Sequence, residues 1–117
     1  MRRGEIYYAD LDPARGSEAN KRRPVLIVSN DGLNRTVARL GHGVVTIVPL
    51  TSNTDRVYAF QVLLPAIATG LPQDSKAQCE QVRSIDAQRP AGPAAGQLPT
   101  DLLSRVDDAL RLHLALY

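Results

Sequence analysis

At 117 residues the chain has the length of one domain, and so small a domain leaves much of its surface exposed unless a second copy covers part of it. Fourteen Lys and Arg against twelve Asp and Glu give a formal charge of only +2, which excludes a polycation. Cys79 is the only cysteine, which excludes an intrachain disulfide, and no apolar stretch approaches the roughly 20 residues of a membrane span. Arg2 and Arg3 lead into Gly4 and Glu5 rather than an apolar run, so no signal peptide is expected, and a cytoplasmic protein suits the lone thiol.

The kind and placement of the basic residues say more than their sum. Twelve of the fourteen are Arg, the exceptions being Lys21 and Lys76. Arginine presents a planar fork that matches phosphate, whereas lysine is a point charge. Residues 1–39 hold eight basic side chains against five acidic ones, and Lys21-Arg22-Arg23 forms a local cluster that attracts anions.

Residues 5–10 read as a first strand, carried by Ile6, Tyr7 and Tyr8 and ended by the Asp-Pro step at 12–13. Residues 12–22 form a polar stretch with Pro13, Gly16, Ser17 and Asn20, longer than a hairpin loop and of a length often given to function. Residues 24–29 (PVLIVS) are a β-branched run expected to be buried on both faces, with Pro24 tolerated as its first residue. Asn30, Asp31, Gly32 and Asn34 mark a turn, and 33–40 read as a short helix.

A third strand covers 44–50 (VVTIVPL), with Pro49 expected to end it or to lie at an edge, and a polar cluster of Thr51, Ser52, Asn53 and Thr54 follows. Residues 60–64 read as a fourth strand, 71–74 as loop, 76–85 as a strand or hairpin, and 88–97, with two Pro, two Gly and three Ala, as a linker. The last segment is a helix. Thr100 is its expected N-cap, Leu103, Val106, Leu110 and Leu114 its apolar stripe, and Asp101–Arg105 and Asp107–Arg111 its i,i+4 ion pairs. Short strands closed by one terminal helix predict a mainly β fold, a small barrel.

Little in the sequence suits a metal or a covalent nucleophile. His42 and His113 are far apart, and CxxC, HExxH and GxSxG are absent. Cys79 lies among strand residues and reads as a buried thiol. What remains is the group Arg15, Lys21, Arg22 and Arg23 together with Thr51, Ser52 and Asn53. In a barrel, strand ends converge on one rim, where an Arg fork beside a hydroxyl would bind phosphate through charge-assisted hydrogen bonds. The same residues also fit an ordinary turn and a solvated charge run.

The ordered blocks GSE (16–18), RPVLIVSND (23–31), PLTSN (49–53) and EQVRSID (80–86), with the terminal helix, resemble the MazF/PemK/Kid family of toxins. The resemblance runs over nearly the whole chain. It implies an SH3-like β-barrel with a C-terminal helix, working as a homodimer without cofactor or metal, and a cognate MazE-like antitoxin as partner. It implies cleavage of single-stranded RNA by the 2′-hydroxyl on the adjacent phosphate, leaving a 2′,3′-cyclic phosphate and a 5′-hydroxyl. Arg23, directly before the proline of the RP pair, corresponds to the catalytic arginine, and Thr51 to the catalytic threonine. Arg15, Ser17, Glu18, Lys21, Ser52, Asn53, Ser75, Glu80, Gln81 and Arg83 correspond to positions at or near the RNA groove.

Arginine stays protonated in proteins, so Arg23 is expected to stabilise charge rather than to accept the 2′-hydroxyl proton, for which Glu18 and Glu80 are candidates. Two other readings stand beside this one. A CcdB-like gyrase poison on the same barrel would need neither the RP pair nor the LTS segment. A non-catalytic RNA-binding barrel would need exposed aromatics, for which only Tyr7, Tyr8, Tyr58, Phe60 and Tyr117 are available.

Overall fold

The computed structural model describes residues 1–116; Tyr117, one of the aromatics considered for stacking, lies outside them. Strands β1 (Glu5–Asp10), β2 (Arg22–Ile27), β3 (Val44–Thr51), β4 (Gln61–Leu64), β5 (Ser75–Gln78), β6 (Arg83–Asp86) and β7 (Pro90–Gln97) pair antiparallel throughout, with helices α1 (Asp31–Leu40), α2 (Ala66–Thr69) and α3 (Thr100–Leu114). The strand order is β4-β5-β3-β2-β1-β7, with β6 also on β3. This is the mainly β architecture with a C-terminal helix that the sequence predicts.

The sheet has a core on each face. Leu26 and Ile6 join Val48, Leu50, Val62, Leu64 and the buried side of α3 in one cluster. Val25 and Ile27 join Ala9, Val45, Ile47 and Ile85 in the other, which is roofed by Leu11 and Ala19 from the loop 11–21. Alternation along Val25-Leu26-Ile27 therefore sends apolar side chains into both clusters, as an uninterrupted apolar run predicts.

β3 is the strand around which the sheet bends. One side pairs with β2; the other pairs with β6 along 44–47 and with β5 at 50–51. The Thr46 carbonyl accepts from Val28 N–H (2.9 Å) and its N–H donates to Ser29 Oγ (3.2 Å), so even-numbered backbone groups face β2 and odd-numbered ones face away. Pro49 thus turns its missing donor into the gap between the end of β6 and the start of β5. It neither ends the strand nor marks an edge, because no ladder bond is asked of it there.

Several boundaries differ from the sequence expectation. α1 starts at Asp31, two residues early, because Asn30 Oδ1 accepts from Leu33 N–H (2.8 Å) and caps it. β2 starts at Arg22, so Pro24 lies inside the strand. Residues 76–85 are not one strand but β5, a 3-10 turn (Cys79–Gln81) and β6. The expected linker is β7, which pairs with β1 through Gln97, Gly96, Ala91 and Pro90. Its Pro and Ala residues hid it, but an edge strand tolerates Pro. Gly96 is required there: a Cβ would lie far inside contact distance of the Thr69 carbonyl oxygen, where β7 meets the helix that follows β4.

In α3 the buried line is Leu102, Val106 and Ala109, with Leu103 and Leu110 at its margins and Leu114 exposed. The cap is Pro99, not Thr100. Neither expected i,i+4 pair forms: Arg3 takes Asp107, and Arg111 pairs with Asp108 at 2.8 Å. The tertiary partner outcompetes the helical one because Arg3 is held beside the helix by its Nε bond to the Val28 carbonyl (2.9 Å).

Candidate active site

The β2–β3 ladder stops at Val25↔Pro49. The Ile27 carbonyl accepts from Gly4 on the β1 side, and Val28 N–H donates to Thr46 on the β3 side. By alternation Pro24 faces β3, at the place where the ladder would continue to Leu50. Pro24 has no N–H to give, the ladder ends, and β3 swings away to pair with β5. β1 still holds the first half of β2, through Ala9↔Arg23 and Asp10↔Arg22.

The divergence leaves a cleft of about 260 Å³ at the sheet rim. Arg22, Arg23 and Pro24 line one wall, Leu50, Thr51 and Ser52 the other, with Ser75 and the 71–73 loop below and Tyr8 beside them. Among the described residues no carboxylate side chain lines it, whereas two arginines do. Such a cleft attracts an anion.

Four of the polar side chains at the cleft have partners within the fold. Arg23 Nε donates to the Asn20 carbonyl oxygen (2.7 Å) and Nη2 to Asn20 Oδ1 (3.1 Å). The Arg22 guanidinium lies over the Tyr8 ring, 4.8 Å from its centroid. Thr51 Oγ1 accepts from Asn53 N–H (3.3 Å), which leaves its own proton free to donate. Ser75 is buried, with Oγ 3.4 Å from the Gln73 carbonyl oxygen.

Of the residues singled out in sequence, Arg23, Thr51, Ser52 and Ser75 come together here. Asn53 stands just outside, its Oδ1 accepting from Asp55 N–H (3.2 Å). Arg15, Ser17 and Lys21 lie on the exposed loop, where Lys21 takes φ 63° and donates its N–H to Asp12 Oδ1 (3.1 Å). Glu18, Glu80, Gln81 and Arg83 gather instead around a second depression of about 340 Å³. There Glu18 Oε1 accepts from Arg15 N–H (2.5 Å) and Glu80 Oε2 from Gln61 Nε2 (2.8 Å), while Glu80 Oε1 is buried with no hydrogen-bond partner among the described residues. The two carboxylates considered as proton acceptors are thus not in the arginine cleft.

Gln81 spans the loop: its Oε1 accepts from Ala19 N–H (2.7 Å) and its Nε2 donates to the Ser17 carbonyl (2.9 Å). Cys79 is buried, and desolvation, with Glu80 beside it, pushes its thiol up to about 12, which keeps it inert at neutral pH. His42 and His113 are both exposed, one after α1 and one in α3. Among the described residues no three His, Cys, Asp or Glu side chains gather as a metal site, and no helix is long and apolar enough to cross a membrane. Sequence reasoning missed Tyr8 as a cleft residue and Asn20 as the partner of Arg23; their only signals were an aromatic in the adjoining strand and a polar residue three before Arg23.

Residues 2–114 match the model of the PemK-like, MazF-like toxins of type II toxin–antitoxin systems. The chain belongs to this family. It is 57% identical over 117 residues to the endoribonuclease MazF9 of Mycobacterium tuberculosis, covering all of this chain and 98% of that protein. The crystal structure of MazF from Deinococcus radiodurans superposes with a TM-score of 0.81 at 26% identity, over 99% of this chain and 97% of that one. A MazE–MazF complex from the same organism matches with a TM-score of 0.75 at 25% identity, over 100% and 98% of the two chains. The toxin's relatives over its full length are endoribonucleases, which leaves the gyrase-poison and non-catalytic readings without support.

Proposed function

We propose that the cleft cuts single-stranded RNA, with Arg23 and Thr51 as its catalytic residues and without a metal. The observation that carries this is that Arg23 and Thr51 line one cleft in which no carboxylate side chain is found among the described residues. Membership of the toxin family and identity to an endoribonuclease over the whole chain support the activity itself.

The reaction needs charge stabilisation on a pentacoordinate phosphate, and donors fixed in advance supply most of it. The 2′-oxygen bonds to phosphorus, the bond to the 5′-oxygen breaks, and the products are a 2′,3′-cyclic phosphate and a 5′-hydroxyl. Arg23 holds the non-bridging oxygens and hydrogen-bonds the departing 5′-oxygen, which takes its proton from solvent; Thr51 adds a neutral donor. Among the described residues neither a carboxylate nor an imidazole lines the cleft, so the 2′-hydroxyl proton leaves to solvent or to a phosphate oxygen. The requirement for a 2′-hydroxyl makes RNA the substrate. Arg15, Ser17, Lys21, Ser52, Asn53 and Ser75 extend the RNA surface around the cleft. The toxin works as a cytoplasmic homodimer, and a MazE-like antitoxin covers the cationic cleft with an acidic segment.

The test is cleavage of a single-stranded RNA in EDTA with analysis of the ends. Cyclic phosphate and 5′-hydroxyl ends are expected, with no cutting where one 2′-deoxynucleotide replaces the cleaved residue. Cutting of that deoxy substrate, or activity lost in EDTA, would sink the proposal.

A further inference from the structure

A guanidinium has two edges that donate paired hydrogen bonds, one of Nε and Nη2 and one of Nη1 and Nη2. In Arg23 the first is occupied. Its Nε bonds the Asn20 carbonyl oxygen at 2.7 Å and its Nη2 bonds Asn20 Oδ1 at 3.1 Å. Both acceptors belong to one residue, and that residue sits on the loop, not on β2. Only the outer edge of Arg23 remains for a ligand.

The loop that carries Asn20 is fixed on both sides. Before it, Ala19 is buried in the second core, and the Gln81 amide bonds both Ala19 N–H (2.7 Å) and the Ser17 carbonyl (2.9 Å). After it, Lys21 gives its N–H to Asp12 Oδ1 (3.1 Å), and its carbonyl accepts from Leu11 N–H (2.9 Å). Arg22, one position from Arg23, has its guanidinium over the Tyr8 ring instead. The two neighbouring arginines are therefore held by different means, and Arg23 is the one aimed by a carboxamide.

We propose that Asn20 is a positioning residue for Arg23, so that the phosphate is met through the Nη1–Nη2 edge, and that Gln81 maintains this aim through the loop. Gln81 then acts on cleavage through Arg23 and not by touching RNA. The inference rests on Arg23 being catalytic, as proposed above.

Steady-state cleavage by the full-length toxin tests it, with thermal melting to check the fold. Asn20→Leu keeps the size and removes the side-chain acceptor; kcat should fall roughly tenfold while KM changes little, since misaimed groups cost rate. Asn20→Asp restores an acceptor at the same place. It should recover most of that kcat, while its charge raises KM in a salt-dependent way. Gln81→Met should lose about as much as Asn20→Leu, and the double variant little more, because both act on one aim. Asn20→Ala replaces Asn20→Leu if the latter melts early. Wild-type kcat in Asn20→Leu, or no recovery in Asn20→Asp, overturns the role of Asn20 if Arg23→Ala is inactive. Fully additive losses overturn the link to Gln81. An active Arg23→Ala instead overturns the catalytic assignment beneath both.

Discussion

Val25, Leu26 and Ile27 form one half of β2, and Arg22, Arg23 and Pro24 form the other. The apolar half is paired on both sides and buried on both faces. The basic half keeps only its β1 partner, because Pro24 offers no donor where β3 would continue. One strand thus anchors the core and presents two arginines to the cleft. The transition between the two takes a single residue, and it depends on a missing hydrogen-bond donor rather than on a change in charge.

The largest expected effect comes from the basic half. Arg23→Ala should lower kcat by about 10²–10³-fold or more, the scale for one preorganised donor, with the melting temperature unchanged. Single-turnover cleavage measures it, and near-wild-type rates would remove Arg23 from the chemistry. Across the cleft, Thr51→Val keeps the shape and removes the free hydroxyl proton, so a loss of roughly ten- to a hundredfold in the same assay is expected.

Pro24→Val bears on the comparison most directly. It restores an N–H facing Leu50, lets the ladder advance and narrows the cleft, so cleavage should fall roughly tenfold in a folded protein. Hydrogen exchange should show the new amide at position 24 protected. A fast-exchanging amide with full activity would mean that something other than Pro24 parts the strands.

Away from the cleft the effect should be on stability alone. Gly96→Ala pushes a methyl group into the Thr69 carbonyl and should cost about 1–3 kcal/mol in denaturant unfolding, with kcat retained at low temperature.

Periodicity and turn chemistry were enough for β1, the buried run of β2, β3 and the terminal helix, because each carries its own local signal. They failed at β7, where Pro90, Gly92, Pro93 and Gly96 look like a linker. That strand exists because β1 offers a free edge, which no local pattern records. They also failed on α3, where Arg3 drew Asp107 away from its helical partner.

For the site, the residue types were legible and their grouping was not. Sequence alone determined that Arg23 precedes a proline at the head of a buried strand, that Thr51 closes another, and, through the ordered motifs, to which toxins the chain is kin. Only the tertiary structure decided that Arg23, Thr51, Ser52 and Ser75 share a cleft while Glu18, Glu80, Gln81 and Arg83 gather elsewhere. It also decided that Asn20, not a carboxylate, holds Arg23. The physical reason is that hydrogen-bond donors and side-chain type are properties of single residues, whereas where a sheet splits depends on which strands find each other across the chain.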